Sequence, residues 1–315
     1  KIKEFNGNND INKKKVLFFI SPCENTCPAN INVPGYIRLI ATGRFLDAYQ
    51  LIRQENPFPA VCGRICTRPC ESKCRRSMTD EAVAICDLKR FAADYAYRNE
   101  KEILIDAIIT KNGKKVAIIG AGASGLTCGY YLVRNGYEVD VYEQESVAGG
   151  VRAFGIPEYR LPKEVLAHEI SLIEKTGVRI HLNTQIGKDI AFEQLKKDYD
   201  SVYVATGTQF PEKIRVEGED LPGVIHGINF LKEVNSNLKY RIDGKVIVIG
   251  GGNTAIDSAR TALRCGASEV IVLYRRTIDA MPAYEAEIHE AVSEGVRIIE
   301  LASPKRFIQG QNGRV

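Results

Sequence analysis

Apolar residues recur along this chain with more than one rhythm. Between Asn30 and Glu55, "INVPGYIRLIATGRFLDAYQLIRQE" repeats them at helical spacing with Gly43 as a break, which predicts a helical hairpin. "DEAVAICDLKRFAADYAYRN" (Asp80–Asn99) carries the same period and predicts an amphipathic helix. At Lys114 the pattern changes. "KKVAIIGAGASGLTCGYYLVRNGYEVDVYEQ" predicts a strand at Val116–Ile119, a glycine turn, a helix at Ser124–Asn135 and a strand at Glu138–Tyr142, together a βαβ unit. A second copy, "GKVIVIGGGNTAIDSARTALRCGASEVIVLYRR", predicts a strand at Val246–Ile249, a helix from Asn253 and a strand at Glu269–Leu273. Between the copies lie "GVRIHL", a helix-like "IAFEQLKKDY" and "SVYVATGT", a strand of buried type that ends at Ala205-Thr206-Gly207 and extends the first sheet. The expected fold class is α/β, with tandem Rossmann-like units preceded by a small helical domain. The expected divisions are a polar linker or arm over 1–15, the helical domain over 16–112, the first unit over 113–240 and the second over 241–315.

The 315 residues, 44% hydrophobic and 26% charged, suit a globular protein of two or three domains. The net charge of +4 is spread along the chain, so neither nucleic acid nor a membrane surface is an expected partner. The apolar run "VLFFI" (Val16–Ile20) is far too short to span a bilayer, and a cytoplasmic protein is expected.

The glycine loops carry specific chemistry. In "GAGASG", Gly120 suits a tight turn, Gly122 lets backbone approach a pyrophosphate, and Gly125 lets helix and strand pack closely. Ala123 and Ser124 begin a helix whose free N–H groups face the phosphates. Glu143 follows at the distance expected for a ribose hydroxyl. In "GGGNTA", Gly250 and Gly252 repeat the geometry with Ala255 in the third glycine's place, and Asn253 and Thr254 open the helix. Arg275 and Arg276 stand where an acid would select NAD, and guanidinium groups there favour the 2′-phosphate of NADPH over NADH. One loop is expected to bind FAD and the other NAD(P)H, with FAD on the first. "GGVRAFGIPEYRLPKEV" is expected to run past the flavin, with Gly149 and Gly150 allowing close approach and Arg160 and Lys163 as candidate cations. Thr206 and Gly207 close the first unit's last strand.

Of nine cysteines, Cys23, Cys27, Cys62, Cys66, Cys70 and Cys74 lie in the first quarter, followed by Cys86. Cys62 to Cys74 are spaced C-x3-C-x3-C-x3-C, which matches neither a paired zinc knuckle nor the bacterial ferredoxin run. An iron–sulfur cluster, zinc and disulfides all remain open on spacing alone. Cys128 and Cys265 have no near partner, so the paired cysteines of flavin disulfide reductases are absent and each reads as a core residue.

The segments "PCENTCPANINVPGYI", "NPFPAVCGRICTRPCESKCRR", "AICDLKRFAADY", "GAGASGL", "GIPEYRLPKEV", "VATGT", "GGGNTAIDSARTALR" and "LYRRTIDAMPA" together resemble the small (β) subunit family of NADPH-dependent glutamate synthase. Its relatives include the N-terminal part of dihydropyrimidine dehydrogenase and the flavin subunits of electron-bifurcating ferredoxin–NADP oxidoreductases. The resemblance implies a helical [4Fe–4S] domain, then an FAD domain interrupted by an NAD(P)H domain, with electrons passing to or from a larger redox subunit or a ferredoxin-type partner in a hetero-oligomer. It implies Cys27, Cys66, Cys70 and Cys74 as ligands of one cluster. Two-cluster members carry C-x2-C-x4-C-x3-C-P, of which this chain keeps the last two cysteines; Cys23, Cys62 and Cys86 are then partial ligands of a second cluster or spare core thiols. The family's returning Gly-Asp motif is missing, so either a fragment of a longer polypeptide, which the start without Met favours, or an incomplete flavin site is expected. A relay or scaffold subunit without flavin is the alternative function.

Overall fold

The computed structural model describes residues 2–3, 18–99, 103, 110–208, 211–237, 239–311, 313 and 315. Of the expected arm, only β1 (Ile2–Lys3) falls among them, paired antiparallel with β2 (Phe18–Phe19); the rest lies outside the described residues.

The helical part comprises α1 (Pro22–Thr26), α2 (Val33–Ala41), α3 (Phe45–Glu55), α4 (Pro59–Ile65) and α5 (Ile85–Arg98). Ser21 Oγ accepts from Glu24 N at 3.3 Å and Asn32 Oδ1 from Gly35 N at 2.9 Å, so α1 and α2 begin on side-chain caps. Gly43, at φ +75°, turns the chain between α2 and α3 as its break in the pattern suggested. The helix expected over Asp80–Asn99 begins only at Ile85. Asp80 is held by Arg76, through both the backbone and a forked ion pair, to the 3₁₀ turn before it. A small core forms from Ile31, Val33, Tyr36, Ala48, Ile52, Ile85 and Ala92, with Cys70 buried among them.

The first βαβ unit contains β3 (Lys115–Ile119), α6 (Ala123–Arg134), β4 (Glu138–Tyr142), α7 (Val151–Phe154), α8 (Lys163–Glu174), β5 (Arg179–His181), α9 (Phe192–Asp198) and β6 (Ser201–Val204). Its sheet is parallel, in the order β5-β4-β3-β6. The strand order reverses between β3 and β6, and ligands of such sheets bind in the crevice at that point. The expectation of a buried β6 fails: Val204 is 57% exposed and Tyr203 39%. As the sheet's edge strand, β6 is paired on one side alone.

The second unit follows α10 (Gly227–Ser236) with β7 (Lys245–Ile249), α11 (Asn253–Arg264), β8 (Glu269–Leu273), α12 (Glu285–Ser293) and β9 (Arg297–Ile299). Its parallel sheet runs β7-β8-β9, over a core of Ile256, Ala259, Val270, Val272, Ile288 and Ala291.

The helical part and the first unit share their interior. Phe58 and Val61, at the start of α4, pack in one cluster with Ile118, Leu126, Tyr130, Val141 and Ile173, and each such side chain contributes about 1.5–3 kcal/mol by burial. Tyr49, Ala60, Ala93 and Ala96 meet Val165 and Leu172 of α8 in a second shared cluster.

Strand β4, whose end carries Glu143, is fastened to β5 by Asp140. This carboxylate lies opposite Arg179 in the ladder, bonds it at 2.8 and 2.7 Å, and meets His181 Nε2 at 2.7 Å. Burial pushes the Asp140 carboxyl up, but the bonds from Arg179 and His181 outweigh it and hold the group at about 2. A folded-state value below the unfolded one means that the stabilisation is present above about pH 4 and lost as pH falls through about 2. Asp140→Asn is expected to lower stability at pH 7 by about 1–2 kcal/mol, allowing for screening at half-exposed Arg179. The gap should close towards pH 2; urea midpoints across that range measure it.

Candidate cofactor sites

At the C-terminal edge of the first sheet, four loops enclose a cavity of about 740 Å³. Its walls come from the glycine loop after β3, the stretch from Glu143 to Arg152 after β4, Thr184 to Ile186 after β5, and Ala205 to Thr208 after β6. The glycines divide by role. Gly120 has φ +105°, and a Cβ there would lie 2.4 Å from Ala205 O; a Cβ on Gly125 would lie 2.0 Å from Gly120 O. Gly122 adopts ordinary extended backbone (φ −79°) and a Cβ on it would meet nothing within 4 Å. The first two serve the fold, and the third keeps space open in the cavity wall. Helix α6 begins on Gly122 without a side-chain cap, so its first N–H groups and positive dipole end are available to an anion. Ala123 and Ser124 are exposed at this helix start, and Ser124 Oγ bonds Tyr203 Oη at 2.8 Å. Gly149 (φ +126°) and Gly150 (φ +58°) bend the second loop inward until a Cβ on Gly150 would lie 2.9 Å from Gly122 Cα. Glu143 is buried, and its carboxylate accepts from Ala121 N at 2.8 Å and Glu145 N at 3.0 Å, tying strand end to glycine loop. Thr206 and Gly207 stand exposed on the fourth wall.

The second loop repeats this plan. Gly250 (φ +132°) turns the chain, Gly252 faces open space, and α11 starts on Gly252 with no side-chain cap. A Cβ on Gly250 would make ordinary contact with Ala255, at 3.6 Å. Asn253 is engaged, its Oδ1 accepting from Tyr284 N at 3.0 Å, while Thr254 is exposed. The middle glycine has a role the motif did not announce: a Cβ on Gly251 would strike the Tyr274 ring at 2.6 Å. Arg275 and Arg276 follow β8, both exposed, and neither has a carboxylate partner among the described residues.

All nine cysteines are free. Cys23 lies in α1 and Cys27 caps its C-terminus; Cys62 lies in α4 and Cys66 caps that helix; Cys70 and Cys74 flank a 3₁₀ turn; Cys86 opens α5. Cys23 and Cys27 pack against the core that buries Cys70, and Cys70 feels the thiols of Cys66 and Cys27. Cys86 Sγ donates to Cys62 O at 3.4 Å and to Gly63 O at 3.5 Å. Its neighbour Cys66, favoured as a thiolate by the Cys86 thiol, Lys89 and the Arg68 N–H, is brought down to about 5, and Cys86 is raised in consequence. Burial pushes Cys70 up to about 11 and also raises Cys62. Cys74 Sγ accepts from Val83 N at 3.5 Å. Among the described residues no three His, Cys, Asp or Glu side chains converge tightly enough for a single ion. The fit to a cluster rests on other features: several thiols face one buried cation, Lys89, and backbone N–H groups bond the sulfurs of Cys66 and Cys74, as sulfur ligands of clusters require.

Two cations expected at the flavin are engaged elsewhere. Arg160 reaches the second unit, where it pairs with Asp257 at 2.6 Å and Glu287 at 3.0 Å, and it does not line the first cavity. Lys163 Nζ bonds the carbonyls of Ile156 and Arg152. Arg152 is the cation that does line the cavity, and the sequence reading passed it over. Its guanidinium is 9% exposed, stacks 3.9 Å from the Phe58 ring centre and bonds Gly149 O through Nε at 3.3 Å. Burial brings it down to about 10, and Cys62 and Glu169 work against that fall.

A family profile for dihydropyrimidine dehydrogenase domain II, 4Fe-4S cluster, matches residues 19–101, and one for pyridine nucleotide-disulphide oxidoreductase matches residues 114–314. The chain is 42% identical over 314 residues to the β subunit of the NADP(+)-dependent formate dehydrogenase of Moorella thermoacetica, covering 92% of this chain and 44% of that one. It is 38% identical over 298 residues to the NADPH glutamate synthase small chain of Halomonas elongata, covering 91% and 63%. Among solved structures, a 2-naphthoyl-CoA reductase complex shares the fold at TM-score 0.54 and 20% identity, over 91% of this chain and 40% of that chain. The chain thus spans less than two thirds of these relatives' own length. FAD, a pyridine nucleotide and a [4Fe–4S] cluster are the groups its two modules carry. With paired parallel sheets, uncapped glycine-loop helices and the profile match over both, the chain belongs to the pyridine nucleotide-disulphide oxidoreductase family, joined here to a [4Fe–4S] domain of the dihydropyrimidine dehydrogenase type.

Proposed function

We propose that this chain moves electrons between NAD(P)H, FAD and a [4Fe–4S] cluster as a cytoplasmic subunit of a larger redox complex. The partner is a larger redox subunit or a ferredoxin-type protein, and neither nucleic acid nor membrane takes part. The observation that carries this reading is that α4, which bears Cys62 and leads to Cys66, is buried in the same core as the first glycine loop. The proposed sulfur ligands and the dinucleotide cavity are thereby built on one hydrophobic core. The subunit role is supported by relatives named as a β subunit and a small chain.

FAD lies on Gly120, Gly122, Ala123, Ser124 and Gly125, with Glu143 at its adenosine ribose and Gly149, Gly150, Thr206 and Gly207 along its length. NAD(P)H lies on Gly250, Gly252, Asn253, Thr254 and Ala255, with Arg275 and Arg276 at the 2′-phosphate of NADPH. When bound, these groups supply the redox chemistry: the flavin takes electron pairs from the pyridine nucleotide and exchanges single electrons with the cluster. The chain's own residues bind and orient. Cys27, Cys66 and Cys70 hold the cluster, with Cys74 as fourth ligand. A second reading makes Cys86, buried at the start of α5 and influencing the Cys66 thiol, the fourth. Cys23 and Cys62 then serve as packing thiols or partial ligands of a second cluster.

Iron and acid-labile sulfide in the intact, anaerobically purified protein decide the ligand question. Cys70→Ala is expected to abolish both, and comparing Cys74→Ala with Cys86→Ala identifies the fourth ligand; full iron in all three would overturn the cluster assignment. For FAD, Gly122→Ala is expected to leave the melting temperature unchanged yet weaken FAD binding at least about tenfold, ~1.4 kcal/mol. Gly120→Ala should instead destabilise the fold by about 1–3 kcal/mol or more, since its φ and its neighbour Ala205 both resist a side chain. Replacing Arg275 and Arg276 together by alanine is expected to raise KM for NADPH by about tenfold or more, at about 1.5–3 kcal/mol per charged hydrogen bond, and to leave KM for NADH nearly unchanged. Equal losses with both nucleotides would count against a 2′-phosphate contact.

A further inference from the structure

One buried charge remains without a use. Arg152 sits in α7, directly after the two glycines that bend towards the first loop. It forms part of the first cavity's wall, and its Nη2 is buried with no hydrogen-bond partner. Leaving a charged donor unsatisfied inside a protein costs about 1–3 kcal/mol or more. Nη2 is closed off by the protein itself, so the guanidinium acts on the cavity through its charge and not through a hydrogen bond from that nitrogen. The opposite side of Arg152 faces the helical domain: its guanidinium lies over Phe58, the residue that starts α4, and its charge is felt by Cys62 within that helix. Glu169 of α8 is the other titratable group facing it. Arg152 is therefore the side chain that borders both the dinucleotide cavity and the thiol-bearing helix.

The two ends of the cavity are chemically distinct. Glu143 and the start of α6 suit a ribose and a pyrophosphate, and Arg152 is the cation that the cavity wall offers to the rest of the ligand. We infer that Arg152 is the buried cation beside the flavin ring and holds its reduced, negatively charged form more tightly than its oxidised form, so that the first cavity is tuned for handing electrons towards the cluster. The balance is simple. Reduction adds two electrons; if one proton is also taken up, the ring gains one negative charge, and a fixed cation stabilises that form selectively. Arg152 acts here as a positioning and electrostatic residue and takes no proton itself.

The inference rests on the assignment of FAD to the first cavity, and the test separates the two. The midpoint potential of bound FAD is followed by flavin absorbance in the intact protein, with FAD affinity measured for the oxidised form. Arg152→Gln is expected to weaken binding of the reduced form about tenfold more than that of the oxidised form, a midpoint lower by about 30 mV for a two-electron couple. Arg152→Lys, which keeps the charge, should stay near the parent value. In the unaltered protein the midpoint should vary between pH 6 and 8 as expected for one proton per two electrons, a readout that needs no variant to fold. FAD bound by Arg152→Gln with an unchanged midpoint, or uptake of two protons per two electrons by the parent, would overturn the role of Arg152 alone. Absence of FAD from the parent protein would overturn both readings.

Discussion

The arrangement of both redox modules hangs on one buried carboxylate. Glu169 of α8, 1% exposed, accepts from Ala60 N at 2.6 Å and Val61 N at 2.9 Å. These are first-turn donors of α4 that no helical carbonyl can reach, and Pro59 before them has no N–H to satisfy. Burial pushes the Glu169 carboxyl up to about 7, against the pull of the two N–H groups and the guanidiniums of Arg152 and Arg53. A side chain of the dinucleotide unit thus serves as the helix cap of the thiol domain. Arg53 returns the contact by donating to Leu172 O at 3.0 Å, while Tyr130 Oη donates to Arg53 O at 3.1 Å. Because these polar groups are buried and point in fixed directions, they set the angle of α4 more strictly than apolar packing alone could.

The second junction uses charge as well. Arg160 and Tyr159 leave the first unit together. Arg160 enters Asp257 and Glu287 of the second unit, and Tyr159 lies under Arg260 and Arg264, at 4.7 and 4.0 Å from ring centre to guanidinium carbon. Arg260 is held in turn by Glu287, Glu290 and Glu294. Burying an ion pair repays its desolvation only when every member is bonded, and a network of this kind acts more to fix one relative placement than to add stability. Of the segment that the sequence suggested for the flavin, Tyr159 and Arg160 thus form a strut between the two nucleotide sites, while Gly149, Gly150 and Arg152 at its start line the first cavity.

That difference shows where sequence reasoning stops. The glycine loops, their strands and their helices were legible because each rests on neighbours within about twenty positions: a period, a turn residue, a helix start. Arg160 was not, since its partner Asp257 lies 97 positions on and nothing local distinguishes a cation facing a phosphate from one facing a carboxylate. Glu169 was likewise invisible, 109 positions from Ala60. Arg152 looks like any exposed loop residue until Phe58 is folded over it. The apolar run of β6 promised burial, yet strand position within the sheet decides exposure and the run itself does not: Val204 and, in the second unit, Ile247 at 59% lie largely open on edge strands.

The helical domain poses the same question in a sharper form, because its core is small for its length and holds a lysine. Lys89 is 7% exposed and has no carboxylate partner among the described residues. Burial works against its charge, but the sulfurs of Cys86, Cys62, Cys66 and Cys27 around it outweigh that and raise its affinity for the proton. With neutral thiols an ammonium in this position is a liability; with thiolates it becomes the nearest positive charge to a dense group of negative ones. The N–H donors of Arg68 and Val83 act in the same direction on Cys66 and Cys74, and Arg68, at φ +57°, adopts a backbone form that few arginines do. Burial raises Cys62 and Cys70, and the neighbouring Cys66 together with burial raises Cys86, so a metal centre binding the sulfurs as thiolates is what would bring these features together. Sulfurs stay ionised in a buried site when a cation binds them, so the domain's stability and its inorganic centre are one and the same constraint.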